Sequence, residues 1–411
     1  MMNIIINPTS PCGEIQAPAS KSVAHRMLIC AALAKGKSTL CINKTSEDIE
    51  ATARCLEAIG VAIEKNGTAW TVTPPCEFSK TATLDCGESG STLRFMLPVV
   101  AALGIEATFI GHGRLLSRPI ADLTDEMKRH GITFADGGSL SISGKLTGGK
   151  YTIAGNISSQ FITGLLLALP LCDGDSEIEV IPPVESKPYI DITTKVLSLF
   201  GVNVEENGTI YNIRHSDLQS GAFNVEGDWS NAAFLIALGA EVSGLDPKST
   251  QGDKKILDVL SSLGAEIKNE NNFVSADLSN LHGADIDASD IPDLVPVICA
   301  VAATAQGTTK IYNASRLRLK ESDRIETTVR MVNSLGGKAT PTEDGIIVEG
   351  QTSLAGGTVD GCGDHRIVMS AAVASLRCKA PVIINGADAV NKSYPDFFKD
   401  FNTLGGDANV M

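Results

Sequence analysis

Apolar positions along the chain fall into two alternating helical patterns. Some stretches are apolar on nearly every side, as in Phe161 to Leu171, Asn231 to Gly239 and Leu294 to Ala305, and that pattern predicts helices buried inside a core. Others are amphipathic, as in Ile120 to His130, where Asp122, Asp125, Glu126 and Lys128 mark a solvent face, and these predict helices that cover such a core. Between them lie apolar runs of strand length, such as Ala82 to Asp85 and Ala107 to Gly111.

The two patterns recur together. A helix end, a glycine and a short strand are repeated at Gly60, Gly131, Gly201, Gly264, Gly336 and Gly405, spaced by roughly 70 residues, which is too long for a solenoid repeat and suits a supersecondary unit with two helices. Glycine at that place predicts a left-handed helix cap that turns the chain into a strand. The best-marked segment runs from the strand at Ala82 through the apolar helix Thr92 to Leu103, the strand at Ala107 and the helix Ile120 to His130. Two short strands joined through Gly137 and Gly138 finish it. The segment reads βαβαββ.

A polar knot opens each apolar helix: Ser20-Lys21-Ser22, Glu88-Ser89-Gly90-Ser91, Ser158-Ser159-Gln160, Asp228-Trp229-Ser230, Asp290-Ile291-Pro292-Asp293 and Gly363-Asp364-His365-Arg366. Serine and aspartate there are favourable N-caps. Six such segments exceed one core and predict two α/β halves of three segments each. The sixth lacks a last strand, which Met2 to Ile6 would supply. The expected domains are therefore 20–226, and 1–19 with 227–411. Two crossings of the chain between them make a hinge pair, and ligands are expected in a cleft between the halves.

Composition narrows the class. At 411 residues, with 43% hydrophobic and 20% charged residues, the chain is ordinary globular material. The first residues show neither a basic leader nor a long apolar run, so a cytoplasmic location is expected. Ten cysteines without a C-x-x-C pair argue for reduced thiols and against zinc. A net charge of -14 disfavours nucleic acid as a partner.

Against that acidic balance, the run Arg316-Leu317-Arg318-Leu319-Lys320-Glu321-Ser322-Asp323-Arg324 concentrates cations. A helix beginning near Lys320 would put Lys320 and Arg324 on one face, with Glu321 beside it. A solvated surface helix explains such a run equally well in isolation. Similar donors, however, stand at other helix starts: Lys21, Ser22 and Arg26; Gly90, Ser91 and Arg94; Arg114 and Arg118; Ser158, Ser159 and Gln160; Ser186, Lys187 and Tyr189; His365 and Arg366; Lys392. Helix N-termini attract anions, so the repetition predicts a small ligand with several anionic groups.

These motifs resemble the 5-enolpyruvylshikimate-3-phosphate synthase family in its own order, from Lys21-Ser22-Val23-Ala24-His25-Arg26 through Gly90-Ser91-Thr92-Leu93-Arg94, Arg114 with Arg118-Pro119, Ser158-Ser159-Gln160, Ser186-Lys187-Pro188-Tyr189, Ile291-Pro292-Asp293, Lys320-Glu321-Ser322-Asp323-Arg324 and Asp364-His365-Arg366 to Lys392-Ser393-Tyr394-Pro395-Asp396. The resemblance implies two inverted α/β domains of three βαβαββ repeats. It also implies transfer of the enolpyruvyl group of phosphoenolpyruvate to the 5-hydroxyl of shikimate 3-phosphate on the way to chorismate. By the same resemblance, Lys21, Ser22, Arg26, Ser158, Ser159, Gln160, Ser186, Tyr189, Asp293 and Lys320 hold shikimate 3-phosphate. Lys21, Gly90, Arg114, Gln160, Arg324, Arg366 and Lys392 hold phosphoenolpyruvate. Asp293, Glu321 and Lys21 carry the protons, no metal or organic cofactor is needed, and the protein is a monomer.

The departures are local. Glu88-Ser89-Gly90-Ser91 stands where the family often has Asn-Ala-Gly-Thr, and Arg316 where some members have Asn. Asp293 has a second reading as a helix-start carboxylate, and Glu321 as a counter-charge to Lys320 and Arg324. His25 and His365 read as structural donors. Alternatives are an enolpyruvyl transferase acting on UDP-N-acetylglucosamine, which usually has a reactive cysteine near the Arg114 region, an RNA 3'-phosphate cyclase, or a non-catalytic phosphometabolite sensor.

Overall fold

Each of the six polar knots opens a helix whose sides are almost wholly buried: α1, Lys21–Leu33; α2, Gly90–Ala102; α3, Ser159–Ala168; α4, Trp229–Ala237; α5, Val295–Ala302; and α6, His365–Ser375. This computed structural model describes residues 2–135, 140–270 and 272–411. The Gly137-Gly138 turn lies outside the described residues.

Side chains from the knots close the helix starts. Ser20, Ser89, Ser158, Asp228 and Asp364 accept backbone N–H groups from Val23, Thr92, Gln160, Asn231 and Arg366 respectively, satisfying donors that a helix cannot satisfy itself. The fifth start is different. A 3₁₀ turn, Pro292–Leu294, leads into α5, and Asp293 is not used as a cap. At the other end of the repeat, all six spacing glycines have positive φ, between 82° and 102°, as the left-handed cap requires.

The chain divides into two compact units, Ala19–Val225 and the residues up to Pro18 with Glu226–Met411. Among the described residues, each unit holds three four-stranded sheets. In every sheet the first two strands pair in parallel, and the last strand of the repeat inserts between the second and third, antiparallel to both. The sheet Thr81–Asp85, Glu106–Ile110, Leu140–Gly144, Ile132–Phe134 is one example. Alternation sets which face is covered: on Lys150–Ala154, Tyr151 and Ile153 are buried while Lys150 and Thr152 are exposed.

Three sheets are completed by distant strands. Asn3–Ile6 fills the last-strand place of the sixth repeat, between Val382–Asn385 and Ala408–Val410. Gly13–Gln16, which precedes α1 in sequence, pairs with Ala240–Ser243 of the fourth repeat, whereas the first repeat takes its opening strand from Ala222–Asn224, paired with Ser38–Cys41.

The buried helices pack closely within each unit. α2 and α3 meet at Gly164, where a methyl group would collide with the Arg94 carbonyl oxygen and the Pro98 ring. In the other unit α4, α5 and α6 pack on one another. Every residue of α4 and of α5 is buried, so their starts are fixed by packing on all sides.

Candidate active site

In the unit containing Glu226–Met411, carboxylates and cations from the fifth and sixth repeats interlock around Arg324. Its Nη1 donates to Asp293 Oδ1 at 2.7 Å, its Nη2 to Glu321 Oε2 at 2.6 Å, and its Nε to Asp364 Oδ2 at 2.8 Å. The Arg324 side chain is 2% exposed and that of Asp364 fully buried. Burial alone would lower the Arg324 pKa, but Asp364, Glu321 and Asp293 outweigh it and hold the value well above the ordinary range. Ser322 also donates to Asp364, at 2.9 Å.

Asp293 is the shared acceptor. Besides Arg324 it receives Arg366 Nη2 at 3.2 Å and lies 3.4 Å from Lys320 Nζ. It stays 17% exposed, and Glu321 19%, so both carboxylates touch solvent at the edge of a buried cationic frame. Burial pushes the Lys320 pKa down; Asp293 opposes that and Arg324 adds to it. Lys392 donates to the Gly363 carbonyl at 2.7 Å, beside the start of α6.

The helix expected from Lys320 begins later. A 3₁₀ helix, Ser315–Leu319, ends with Lys320 extended, and the α-helix is Arg324–Ser334 with Asp323 as its cap. Asp323 is the stronger N-cap because its carboxylate accepts the Glu326 N–H. Lys320 and Arg324 therefore do not share one helical face; both reach Asp293 from an extended segment and a helix start.

In the unit Ala19–Val225 a second cluster forms at the starts of α1, α2 and α3. Lys21 Nζ pairs with Asp48 at 2.8 Å. Arg94 donates to Gln160 Oε1 at 2.7 Å, and Gln160 Nε2 donates to Ser91 Oγ at 2.9 Å. A Cβ on Gly90 would lie 2.8 Å from both Arg94 Nη1 and Arg118 Nη1, so the bare backbone there faces two guanidinium groups. Ser158 caps α3, and the neighbouring Ser159 is buried.

Three expected residues are placed differently from a simple ring of donors. Arg26 is 2% exposed. It donates from Nε to Thr193 Oγ1, from Nη1 to the Ser22 carbonyl, and from Nη2 to Thr163 Oγ1 and the Tyr189 carbonyl. Burial pushes its pKa to about 9. Arg114 is exposed, at the start of the 3₁₀ turn Leu115–Ser117. Ser186 is buried and left-handed, with φ 54° and ψ 36°, a conformation that costs a non-glycine residue about 1 kcal/mol. Asp48 and Asp253 had no signal in the sequence, since their partners lie 27 and 23 positions away.

The arrangement matches known proteins over its full length. The family model EPSP synthase (3-phosphoshikimate 1-carboxyvinyltransferase) matches residues 7–401. The chain belongs to the EPSP synthase family. Relatives named 3-phosphoshikimate 1-carboxyvinyltransferase include one from Clostridium kluyveri, 43% identical over 99% of this chain and 98% of its own, and one from Clostridium novyi, 42% identical over the same shares. Among solved structures, EPSP synthase from Acinetobacter baumannii superposes with a TM-score of 0.83, covering 100% of both chains at 27% identity. The chain is thus an enzyme of the α/β class within this family.

Proposed function

We propose that the protein transfers the enolpyruvyl group of phosphoenolpyruvate to the 5-hydroxyl of shikimate 3-phosphate, releasing phosphate. Membership of the family across residues 7–401 carries this reading. The site chemistry supports it, because Asp293 and Glu321 stand within hydrogen-bonding distance of one guanidinium, Arg324. Both substrates carry a carboxylate and a phosphate, groups that guanidinium forks bind in pairs.

The reaction needs an acid at the methylene carbon and a base at the attacking hydroxyl. We assign Asp293 to the hydroxyl and Glu321 to the methylene, with Lys21 as a further proton carrier. Addition gives a tetrahedral intermediate, and loss of the methyl proton expels phosphate. Lys21, Ser22, Ser158, Ser159, Gln160, Ser186, Tyr189, Asp293, Lys320 and, through its packing, Arg26 hold shikimate 3-phosphate. Gly90, Arg114, Arg324, Arg366 and Lys392, with Gln160 and Lys21, hold phosphoenolpyruvate. On this reading Asp293 and Glu321 occupy Arg324 until substrate anions take their place.

The family match does not favour UDP-N-acetylglucosamine as acceptor, and a sensor would have no use for the paired carboxylates. Among the described residues no helix is long and apolar enough to cross a membrane and no metal-ligand cluster is found. We place the enzyme in the cytoplasm as a monomer. Phosphate release on mixing the purified protein with both substrates tests the reading; turnover with UDP-N-acetylglucosamine instead of shikimate 3-phosphate overturns it.

A further inference from the structure

Two helices of the Ala19–Val225 unit are joined by a ladder of side chains one helical turn apart. On α1, Lys21 and His25 are four residues apart and share a face; on the helix Glu47–Ala58, Asp48 and Thr52 do the same. The first rung is ionic, Lys21 Nζ to Asp48 Oδ2 at 2.8 Å. The second is His25 Nδ1 to Thr52 Oγ1 at 2.6 Å. From there the bonds pass to α2. Thr52 Oγ1 lies 2.7 Å from Thr92 Oγ1, and Thr92 Oγ1 lies 2.8 Å from Ser89 Oγ and 3.4 Å from the Asp48 carbonyl. Ser89 also caps α2 by accepting the Thr92 N–H at 3.2 Å. His25, Thr52 and Thr92 are fully buried and Ser89 nearly so.

The chemistry of the ring orients this chain. His25 Nε2 is buried and has no hydrogen-bond partner. A buried N–H without an acceptor costs more than a buried lone pair on a ring nitrogen, so the proton belongs on Nδ1, where it is donated to Thr52. Thr52 then donates to Thr92 and Thr92 to Ser89. Burial holds the His25 pKa well below its ordinary value, and the charges of Lys21 and Arg26 act in the same direction, which keeps the ring neutral and the direction of donation fixed. Ser89 accepts from both Thr92 groups, which locks the turn preceding Gly90.

We propose that His25 is a positioning residue that, through Thr52 and Thr92, fixes the Ser89–Gly90–Ser91 start of α2 and the rung that carries Lys21, and so sets the geometry in which phosphoenolpyruvate is held. The proposal rests on the functional reading above, in which Gly90 and Lys21 contact that substrate. It assigns His25 no contact with either substrate.

Thr52→Val keeps the volume and removes the middle hydroxyl; His25→Leu removes the first donor; His25→Asn returns an amide N–H to the place of Nδ1. Steady-state kinetics and calorimetric titration with shikimate 3-phosphate are compared for the three variants and the parent. Thr52→Val and His25→Leu are expected to raise KM for phosphoenolpyruvate about tenfold and to change shikimate 3-phosphate affinity less than threefold, with His25→Asn back within about threefold of the parent. The double variant Thr52→Val with His25→Leu is expected to lose no more than either single variant, because both cut one chain. An unchanged KM in Thr52→Val, or equal weakening of both substrates, overturns the proposal. Should His25→Leu not fold, Thr52→Val and the imidazole ¹⁵N spectrum of the parent decide: a neutral Nδ1–H ring at pH 7 supports the ladder, and an Nε2–H or charged ring overturns it. Absence of turnover by the parent would instead strike the functional reading.

Discussion

Arg324 donates to Asp293 across 31 positions of sequence, Nη1 to Oδ1 at 2.7 Å, although the arginine opens one helix and the aspartate lies in the 3₁₀ turn before another. The same guanidinium holds Glu321 and Asp364. Before substrate binds, one planar cation thus sets the spacing of both proposed proton-transfer groups.

Arg324→Lys is not a conservative change here. A lysine presents a point charge and cannot serve three carboxylates at the angles of a guanidinium fork. Since Asp364 is fully buried, the loss is expected to be about 3 kcal/mol of unfolding free energy, with a large rise in KM for phosphoenolpyruvate. Urea unfolding and steady-state kinetics measure both; wild-type stability in the variant would show that Asp364 finds its compensation elsewhere.

Asp293→Ala separates the two readings of that residue. As a base it acts in the transition state, so kcat is expected to fall by a factor of about 1000 with shikimate 3-phosphate binding nearly intact. Calorimetric titration beside initial rates checks this. Equal loss in binding and turnover would make Asp293 a mere counter-charge for Arg324 and Arg366.

Gly90 is where a single methyl group is informative. Its Cβ would press on the tips of Arg94 and Arg118, which are flexible side chains, so Gly90→Ala is expected to fold but to displace the guanidinium groups. The parent enzyme is expected to be inhibited by glyphosate in competition with phosphoenolpyruvate. The alanine variant should show weaker inhibition together with a raised KM. Undiminished parent activity at millimolar glyphosate would contradict the placement of phosphoenolpyruvate beside Gly90.

Asp253 predicts a pH dependence of stability. Its carboxyl is buried and hydrogen-bonded to Ser230; burial first, then Asp293, push its pKa up to about 7, against the partial relief from Arg366. The folded value lies above the ordinary carboxylate value of 3.8, so the folded chain holds a proton that the unfolded chain gives up. The stability contribution is complete below about pH 4 and is lost as pH rises through about 7, on the order of 2–4 kcal/mol in all. Asp253→Asn stays neutral and is expected to gain stability over the parent at pH 8 but not at pH 4. Thermal melts at the two pH values test this, and parallel curves would show that Asp253 ionises without penalty.

Much of this fold depends on neighbours in sequence. Apolar surroundings on every side of α3, α4 and α5, the serine and aspartate caps, and the left-handed glycines are local properties, decided within one or two helical turns, and they were legible from the residue pattern. The missing strand of the sixth repeat was legible for another reason: a sheet with an unfilled place needs an apolar strand from elsewhere, and Asn3–Ile6 is one.

Tertiary packing decided the rest. Whether Gly13–Gln16 or Ala222–Asn224 opens the first sheet depends on hydrogen bonds between strands about 180 residues or more apart, and no local pattern distinguishes them. Arg26 and Arg114 look alike as charges in a sequence, yet one is enclosed by Thr163, Thr193 and Phe95 and the other is exposed. Residue type sets what charge a side chain can carry; only the folded surroundings set whether that charge meets water, a carboxylate or a methyl group, because desolvation and Coulomb energies depend on atoms that the chain brings together from far apart.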